Sequence, residues 1–294
     1  MPNRVTFSQR HPFLFGLLLL IVAVVLFLGT MAFFRVWPGA GLFPGRPKLG
    51  VVRVQGSIES PEEVVGWLEH LRRDSEVKGI LLRIDSPGGL VAPSQEIYAA
   101  VDDVDKPVVV SMGQVAASGG YYVACGADKI VANPGTITGS IGVKANIPNV
   151  RKLMEGLGIR QEVIVSGELK DAGSPTKPLT DKERRYFQNM VDDLFSQFVS
   201  AVAEGRDMKT ETVRKLADGR AYTGSQAKAK GLVDVLGGRR KAESVLKEMC
   251  GITGRVSYVE GPEEKRSLLS ALLDLLGLEL AGGTSRGSGW IVRY

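Results

Sequence analysis

Histidine is nearly missing from this chain, with two in 294 residues, and so is cysteine, with Cys125 and Cys250 alone. Two cysteines so far apart make neither a disulfide framework nor a zinc site, although one disulfide between them stays open. His11 precedes a long apolar run, and His70 sits among charged neighbours on an amphipathic segment. A Ser-His-Asp triad therefore lacks its base. A dominant charge is missing too. The 37 Lys and Arg against 32 Asp and Glu leave a net +5, and they are scattered. That pattern is no footprint for nucleic acid. Internal repeats and low-complexity segments are absent, and neither a metal nor a cofactor is expected.

Apolar material is plentiful at 44% of residues, and part of it is concentrated. Phe13 to Phe34 carries no charge and is mostly Leu, Val, Ile and Phe. At helical rise this run spans about 33 Å, against roughly 30 Å of bilayer hydrocarbon. It is too long for a signal-peptide core, and no clear A-x-A cleavage site follows. Residues 13–36 thus read as an uncleaved transmembrane anchor with Trp37 at the interface, preceded by a short tail, 1–12. Arg4 and Arg10 lie on one side, Arg35, Arg46, Lys48 and Arg53 on the other, so flanking charge does not set the orientation. The Gly- and Pro-rich stretch 37–48 reads as a linker, 49–260 as one catalytic domain, and 261–294 as a tail. Within that tail, Ser267 to Leu280 is too short to span a bilayer. It reads as an amphipathic helix on lipid or a neighbouring subunit, or as a terminal helix packed on its own domain.

Along the domain, Leu49 to Val54 and Gly79 to Ile84 read as buried strands. Ser60-Pro61-Glu62-Glu63 between them reads as a helix start with a capping box. A helix from about Pro93 to Val104 follows, then a strand at Val108 to Met112 that Gly113 should end. Further on come strands at Lys129 to Ala132 and Glu162 to Ser166, a helix at Asn149 to Leu157 and a loop from Gly167 to Pro178. Thr180 then caps a long helix to about Glu204, with smaller helices beyond. Strand and helix alternating in this rhythm predict a mostly parallel α/β sheet. Sites in such sheets gather beyond the carboxyl ends of strands. Gly88-Gly89 and Ser118 both lie there. Ser118 stands between Ala116-Ala117 and Gly119-Gly120, small residues that let another backbone approach its hydroxyl. This is the setting a nucleophile with an oxyanion hole requires, although a tight turn and helix cap use the same residues.

With no histidine to serve, the base must be a lysine kept neutral by burial or a neighbouring cation. Ser75/Lys78 and Ser225/Lys228 have Ser-x-x-Lys spacing, but their charged helical surroundings predict solvated surface. Lys144, Lys170 and Lys177, in loops after strand ends or turns, are better placed. The physics of the sequence does not choose among these three.

Five blocks carry a resemblance. They are Asp85-Ser-Pro-Gly-Gly89, Val115-Ala-Ala-Ser-Gly-Gly-Tyr-Tyr122, Thr138-Gly-Ser-Ile-Gly-Val143, Lys170-Asp-Ala-Gly-Ser-Pro175 and Gly224-Ser-Gln-Ala-Lys-Ala-Lys-Gly-Leu-Val-Asp234. In content and order, over roughly Leu49 to Arg240, they resemble the signal peptide peptidase A (protease IV) family in its short bacterial form. The resemblance implies a Clp-protease/crotonase-like α/β fold of repeated β-β-α units behind a transmembrane helix. It implies a membrane-anchored serine endopeptidase that degrades remnant signal peptides and other unfolded apolar peptides. Ser118 would be the nucleophile, Lys170 the general base and Ser140 the residue that orients the lysine. Gly88, Gly89 and Gly119 would supply oxyanion N–H groups. The family's long form is a tandem duplication, so a single-copy chain is expected to form a homo-oligomeric ring in which Ser118 and Lys170 meet across a subunit boundary. The family also implies a domain on the extracytoplasmic side of a bacterial inner membrane. A crotonase-like acyl-thioester enzyme and a catalytically silent membrane scaffold are the rivals; neither needs Ser118 or Lys170.

Overall fold

The computed structural model describes residues 11–36, 46–261 and 291–293. The chain divides into two units, one up to Arg46 and one from Pro47. In the first, the described residues 12–36 form a long helix, α1 (Pro12–Val36). Its 20 residues Pro12–Met31 have a mean hydropathy of 2.9 with none of that window buried, so α1 is long and apolar enough to cross a membrane. The expected tail before residue 11, most of the linker and the expected helix at 267–280 lie outside the described residues.

The second unit is built on β1 (Lys48–Ile58), β2 (Val77–Gly89) and β3 (Val108–Ala117), which pair in parallel. Helices α2 (Glu62–Arg73) and α3 (Val91–Asp102) make the crossovers. After Ser118 come α4 (Gly119–Ala124), β4 (Lys129–Ala132), β5 (Ile137–Gly139), β6 (Lys144–Asn146) and α5 (Arg151–Gly156). Then follow α6 (Asp181–Gly205), α7 (Thr210–Leu216), β7 (Ala221–Thr223), α8 (Gly224–Ala229), β8 (Val235–Leu236), α9 (Arg239–Met249) and β9 (Ser257–Gly261). The main sheet runs β7-β5-β3-β2-β1-β9, with β4 joining β3 to β8. All its pairings are parallel except β5 with β7. Apart from it, β10 (Ile291–Arg293) pairs antiparallel with β6.

The apolar runs that predicted the central strands are buried on both faces because helices cover both. Val52, Val54, Leu82, Ile84, Val110 and Met112 pack with Leu68 and Leu71 of α2, Ile97 of α3 and Phe198 of α6. On the other face Leu49, Val51, Leu81, Val109 and Val131 pack with Ala242 and Leu246 of α9. Truncating an enclosed leucine such as Leu81 or Leu82 to alanine costs about 2–5 kcal/mol.

Four local expectations need correction. The cap of α2 is Pro61, not Ser60: Pro61 is already helical (φ −90°, ψ −20°), and its carbonyl accepts the first helical bond, from Val65 N at 2.9 Å. Ser60 Oγ instead bonds the Glu62 carboxylate, and no box closes. Asp85 to Gly89 is not a loop beyond β2, because β1 extends far enough to pair Ser57 with Gly88 and Ile58 with Gly89. Residues 162–166 form no strand; Val163, Ile164 and Val165 are exposed, with no neighbouring strand to complete a ladder. The fourth concerns β3, which runs on through Gly113. The capping box at Thr180 and Glu183 forms as expected.

Candidate active site

The continuation of β3 decides where Ser118 is placed. Ile84 pairs with Met112 and Ser86 with Ala116, so Asp85 alone faces residues 113–115 across a bulge. A side chain at Gly113 would put its Cβ 2.5 Å from Asp85 Cγ, so glycine makes room for that carboxylate. Asp85 Oδ1 accepts the Val115 N–H at 3.1 Å. From the β5 side, Thr136 Oγ1 donates to Gly113 O at 2.7 Å and Thr138 Oγ1 to Ala116 O at 2.6 Å. The bulge is thus held by three side chains where the regular ladder is interrupted.

Ser118 follows with φ 56° and ψ −123°, a conformation that costs a residue with a Cβ of order 1–3 kcal/mol. Its backbone is tied at both ends. The N–H donates to Gly139 O at 2.8 Å, and the carbonyl accepts from Tyr121 N and Tyr122 N, each at 2.9 Å. The residue is 6% exposed, and its hydroxyl has no hydrogen-bond partner among the described residues.

Gly88, at φ 101°, lies directly against it. An added Cβ would come within 2.9 Å of Ser118 Cβ and 2.6 Å of Gly119 N. The Gly88 N–H donates to Ser86 Oγ at 3.1 Å. Leu90 N bonds Ile58 O at 2.7 Å, and in a parallel ladder that register turns the Gly89 N–H away from β1. Gly119 is the first residue of α4, where an N–H has no acceptor inside the helix. An added Cβ on Gly119 would lie 3.2 Å from Gly89 N. Ser118, Gly88, Gly89 and Gly119 are therefore one cluster. Ser140 borders it: Ala117 pairs with Gly139, so Ser140 is next in register, at φ 52° with its N–H on Arg220 O.

The lysines lie elsewhere. Lys170 is exposed on a turn, with its N–H on Gly167 O at 3.0 Å. No hydrogen bond or ion pair joins its ammonium to Ser118, Ser140 or another described residue. Lys177 is held by Glu183 at 2.9 Å and Asp171 at 3.1 Å, and these carboxylates, Glu183 foremost, raise its pKa. A lysine held as an ammonium is a poor base. Lys144 is exposed on β6. Lys78 bonds Ser75 O and Lys228 bonds Asp234 O, both on the surface, as the Ser-x-x-Lys pairs were expected to be. His70 is exposed and stacks on Trp67. Both cysteines are free, and burial pushes the Cys125 thiol up to about 12. Among the described residues no cluster of His, Cys, Asp or Glu could hold a metal.

The sequence reading missed Asp85, Thr136 and Thr138 as parts of the site. A signal existed, because Asp85 opens the Asp-Ser-Pro-Gly-Gly block, and Thr136 and Thr138 stand two residues apart, the second within β5.

The profile of Peptidase family S49 matches residues 100–253, which takes in β3, Ser118, Ser140 and Lys170. The chain belongs to peptidase family S49. The Clp protease profile matches residues 51–136 of this S49 protease, β1 to the Ser118 turn and beyond. With the mostly parallel sheet, that match makes the fold Clp-protease-like. A Synechocystis sp. protein named "Putative protease" is 40% identical over 231 residues, covering 77% of this chain and 83% of its own length. Protease 4 of Salmonella typhi is 38% identical over 201 residues, covering 64% of this chain and 32% of that one. A ClpP1 mutant from Listeria monocytogenes superposes with a TM-score of 0.46 at 20% identity, over 65% of this chain and 93% of that one. The profiles, not that superposition, carry the assignment.

Proposed function

We propose that this S49 protease is a membrane-anchored serine endopeptidase with Ser118 as nucleophile and Lys170 as general base. The observation that carries the reading is the strained Ser118, clustered with Gly88, Gly89 and Gly119. Neutral Lys170 takes the Ser118 proton as Oγ attacks a peptide carbonyl. The tetrahedral oxyanion is received by the Gly89 and Gly119 N–H groups, since the Gly88 N–H is already engaged with Ser86. The lysine then protonates the leaving amine, and water hydrolyses the acyl-enzyme by the same steps. Ser140, beside Ser118, orients the lysine.

Lys170 comes from a second copy of the chain. Among the described residues the buried serine has no base and the exposed lysine no partner, which supports this division, as do Leu153, Leu157 and Ile164, exposed ahead of Lys170 at 64%, 66% and 94%. A heterologous contact repeated around an axis closes a ring. With α1 as a single-pass anchor and the domain outside the cytoplasm, the substrates are remnant signal peptides and other unfolded apolar segments released beside the membrane.

The test mixes Ser118→Ala and Lys170→Ala chains, unfolded together and reassembled in equal amounts. A shared site draws each intact residue with a chance of one half, so about a quarter of sites regain cleavage and fluorophosphonate labelling. Recovery at background, with mixing verified by mass spectrometry, rules the shared dyad out.

A further inference from the structure

We propose that Lys177 is a positioning residue that pins the Lys170 turn to the start of α6 and screens Lys170 from the carboxylate next to it. The inference rests on Lys170 being the base, and it assigns that base its supporting machinery.

The turn has an acid on each side of Lys170, and each acid is bound by a different lysine. Glu168, two residues before, pairs with Lys182 in the first turn of α6. Asp171, one residue after, is bound at 3.1 Å by Lys177, whose ammonium also holds Glu183 at 2.9 Å. Glu183 is itself fixed. It is 4% exposed and accepts the Thr180 N–H at 2.8 Å and the Thr180 hydroxyl at 3.0 Å in the capping box of α6. A continuous chain of bonds therefore runs from the rigid end of a 25-residue helix, through Glu183 and Lys177, to the residue beside Lys170. The Glu168–Lys182 pair is solvent-exposed and adds little. The Lys177 bridge has a nearly buried anchor.

The backbone follows the same plan. Ala172 N bonds Leu169 O at 3.1 Å and Ser174 N bonds Asp171 O at 3.3 Å, so the turn closes on itself directly after Lys170. Ala172 is 8% exposed, whereas Lys170 projects into solvent. Tethered below and free above, the lysine is presented outward at a fixed place.

The electrostatic part follows from what surrounds the turn. The charged groups there are Glu168 and Asp171 on it, Lys177 after it, and Asp181, Lys182 and Glu183 at the start of α6. A bare Asp171 carboxylate one residue from Lys170 favours the ammonium, which cannot accept a proton. With Lys177 on that carboxylate, the Asp171 charge is largely cancelled, and the second carboxylate that Lys177 holds, Glu183, belongs to the start of α6. Lys177 was a candidate base by sequence; its ion pairs give it this other task.

The experiment measures kcat/KM for peptide cleavage against pH in the full chain and in Lys177→Met, Asp171→Asn and the double variant. Lys177→Met should lower cleavage and move the base limb upward by about 0.5–1 pH unit, since it removes a cation and uncovers an anion. The double variant should bring the limb back to within a few tenths, which a merely structural loss would not do. An unmoved limb in a folded Lys177→Met protein overturns the proposal, and so does inactivity at every pH. If Lys177→Met fails to fold, Asp171→Asn carries the test: its limb should move to lower pH, and a limb that stays or rises overturns the screening role. Lys170→Ala is the separate control. Cleavage surviving in it removes the base assignment, whereas cleavage lost in it with an unmoved Lys177→Met limb removes only the positioning role.

Discussion

The serine side and the lysine side of the proposed site are built by opposite means. Ser118 sits at the end of the most enclosed strand, with β2 on one flank and β5 on the other, and its backbone conformation is enforced by bonds at both ends. Lys170 sits on an exposed turn tied to the molecule mainly by side-chain ion pairs. A strained nucleophile has to be held by a packed core, because the core repays the strain. A proton acceptor needs only to arrive at the right place, and an exposed turn can carry it to a surface outside its own chain. Changes to the groups that hold Ser118 in place should therefore cost stability and activity together, whereas a change at Lys170 should cost activity alone.

Lys170→Ala is the strongest test of that contrast. The side chain has no partner among the described residues of its own chain, so the melting temperature should stay within a degree or so, while cleavage should fall by about 10⁴-fold or more. A clear loss of stability in this variant would place Lys170 in contacts within its own chain and break the comparison.

Gly88→Ala should come next, with a loss of about 10²-fold in cleavage and fluorophosphonate labelling together with a lowered melting temperature. The new methyl must displace Ser118 Cβ or the Gly119 amide, and the residue must also hold φ 101°. Labelling at the unaltered rate would mean that the loop yields without disturbing the hydroxyl.

The smallest effect is expected at Asp85. Asparagine keeps an oxygen that can accept the Val115 N–H, and alanine does not. Asp85→Ala should therefore slow Ser118 labelling about tenfold, and Asp85→Asn should restore most of it. Equal defects in the two variants would mean that the charge, rather than the accepted hydrogen bond, holds the bulge.

Much of the fold was legible because burial on both faces leaves continuous apolar runs, as at Leu49 to Val54, Gly79 to Ile84 and Val108 to Met112. The Thr180 box was legible because its two partners are three residues apart. Gly113 misled because a glycine in a strand can mark an end or a space for a neighbour, and only the register shows Asp85 occupying that space. Val163 to Val165 misled because β-branched residues make a strand only where another strand offers a ladder. On the serine side the small residues around Ser118 could be read locally. On the lysine side they could not: nothing in the spacing of Lys144, Lys170 and Lys177 separates a base from a tether, and that distinction lies in Asp171 and Glu183.

The positive φ at Ser118 bears on which inactive protein can serve as a control. Alanine keeps the Cβ and inherits the strain, so Ser118→Ala preserves the tension under which the surrounding loops are arranged. Glycine at 118 releases it and should raise stability by about 1 kcal/mol. A relaxed Ser118→Gly protein would be the better behaved in solution and the poorer likeness of the working enzyme, because the neighbouring amides would no longer be set against a fixed point.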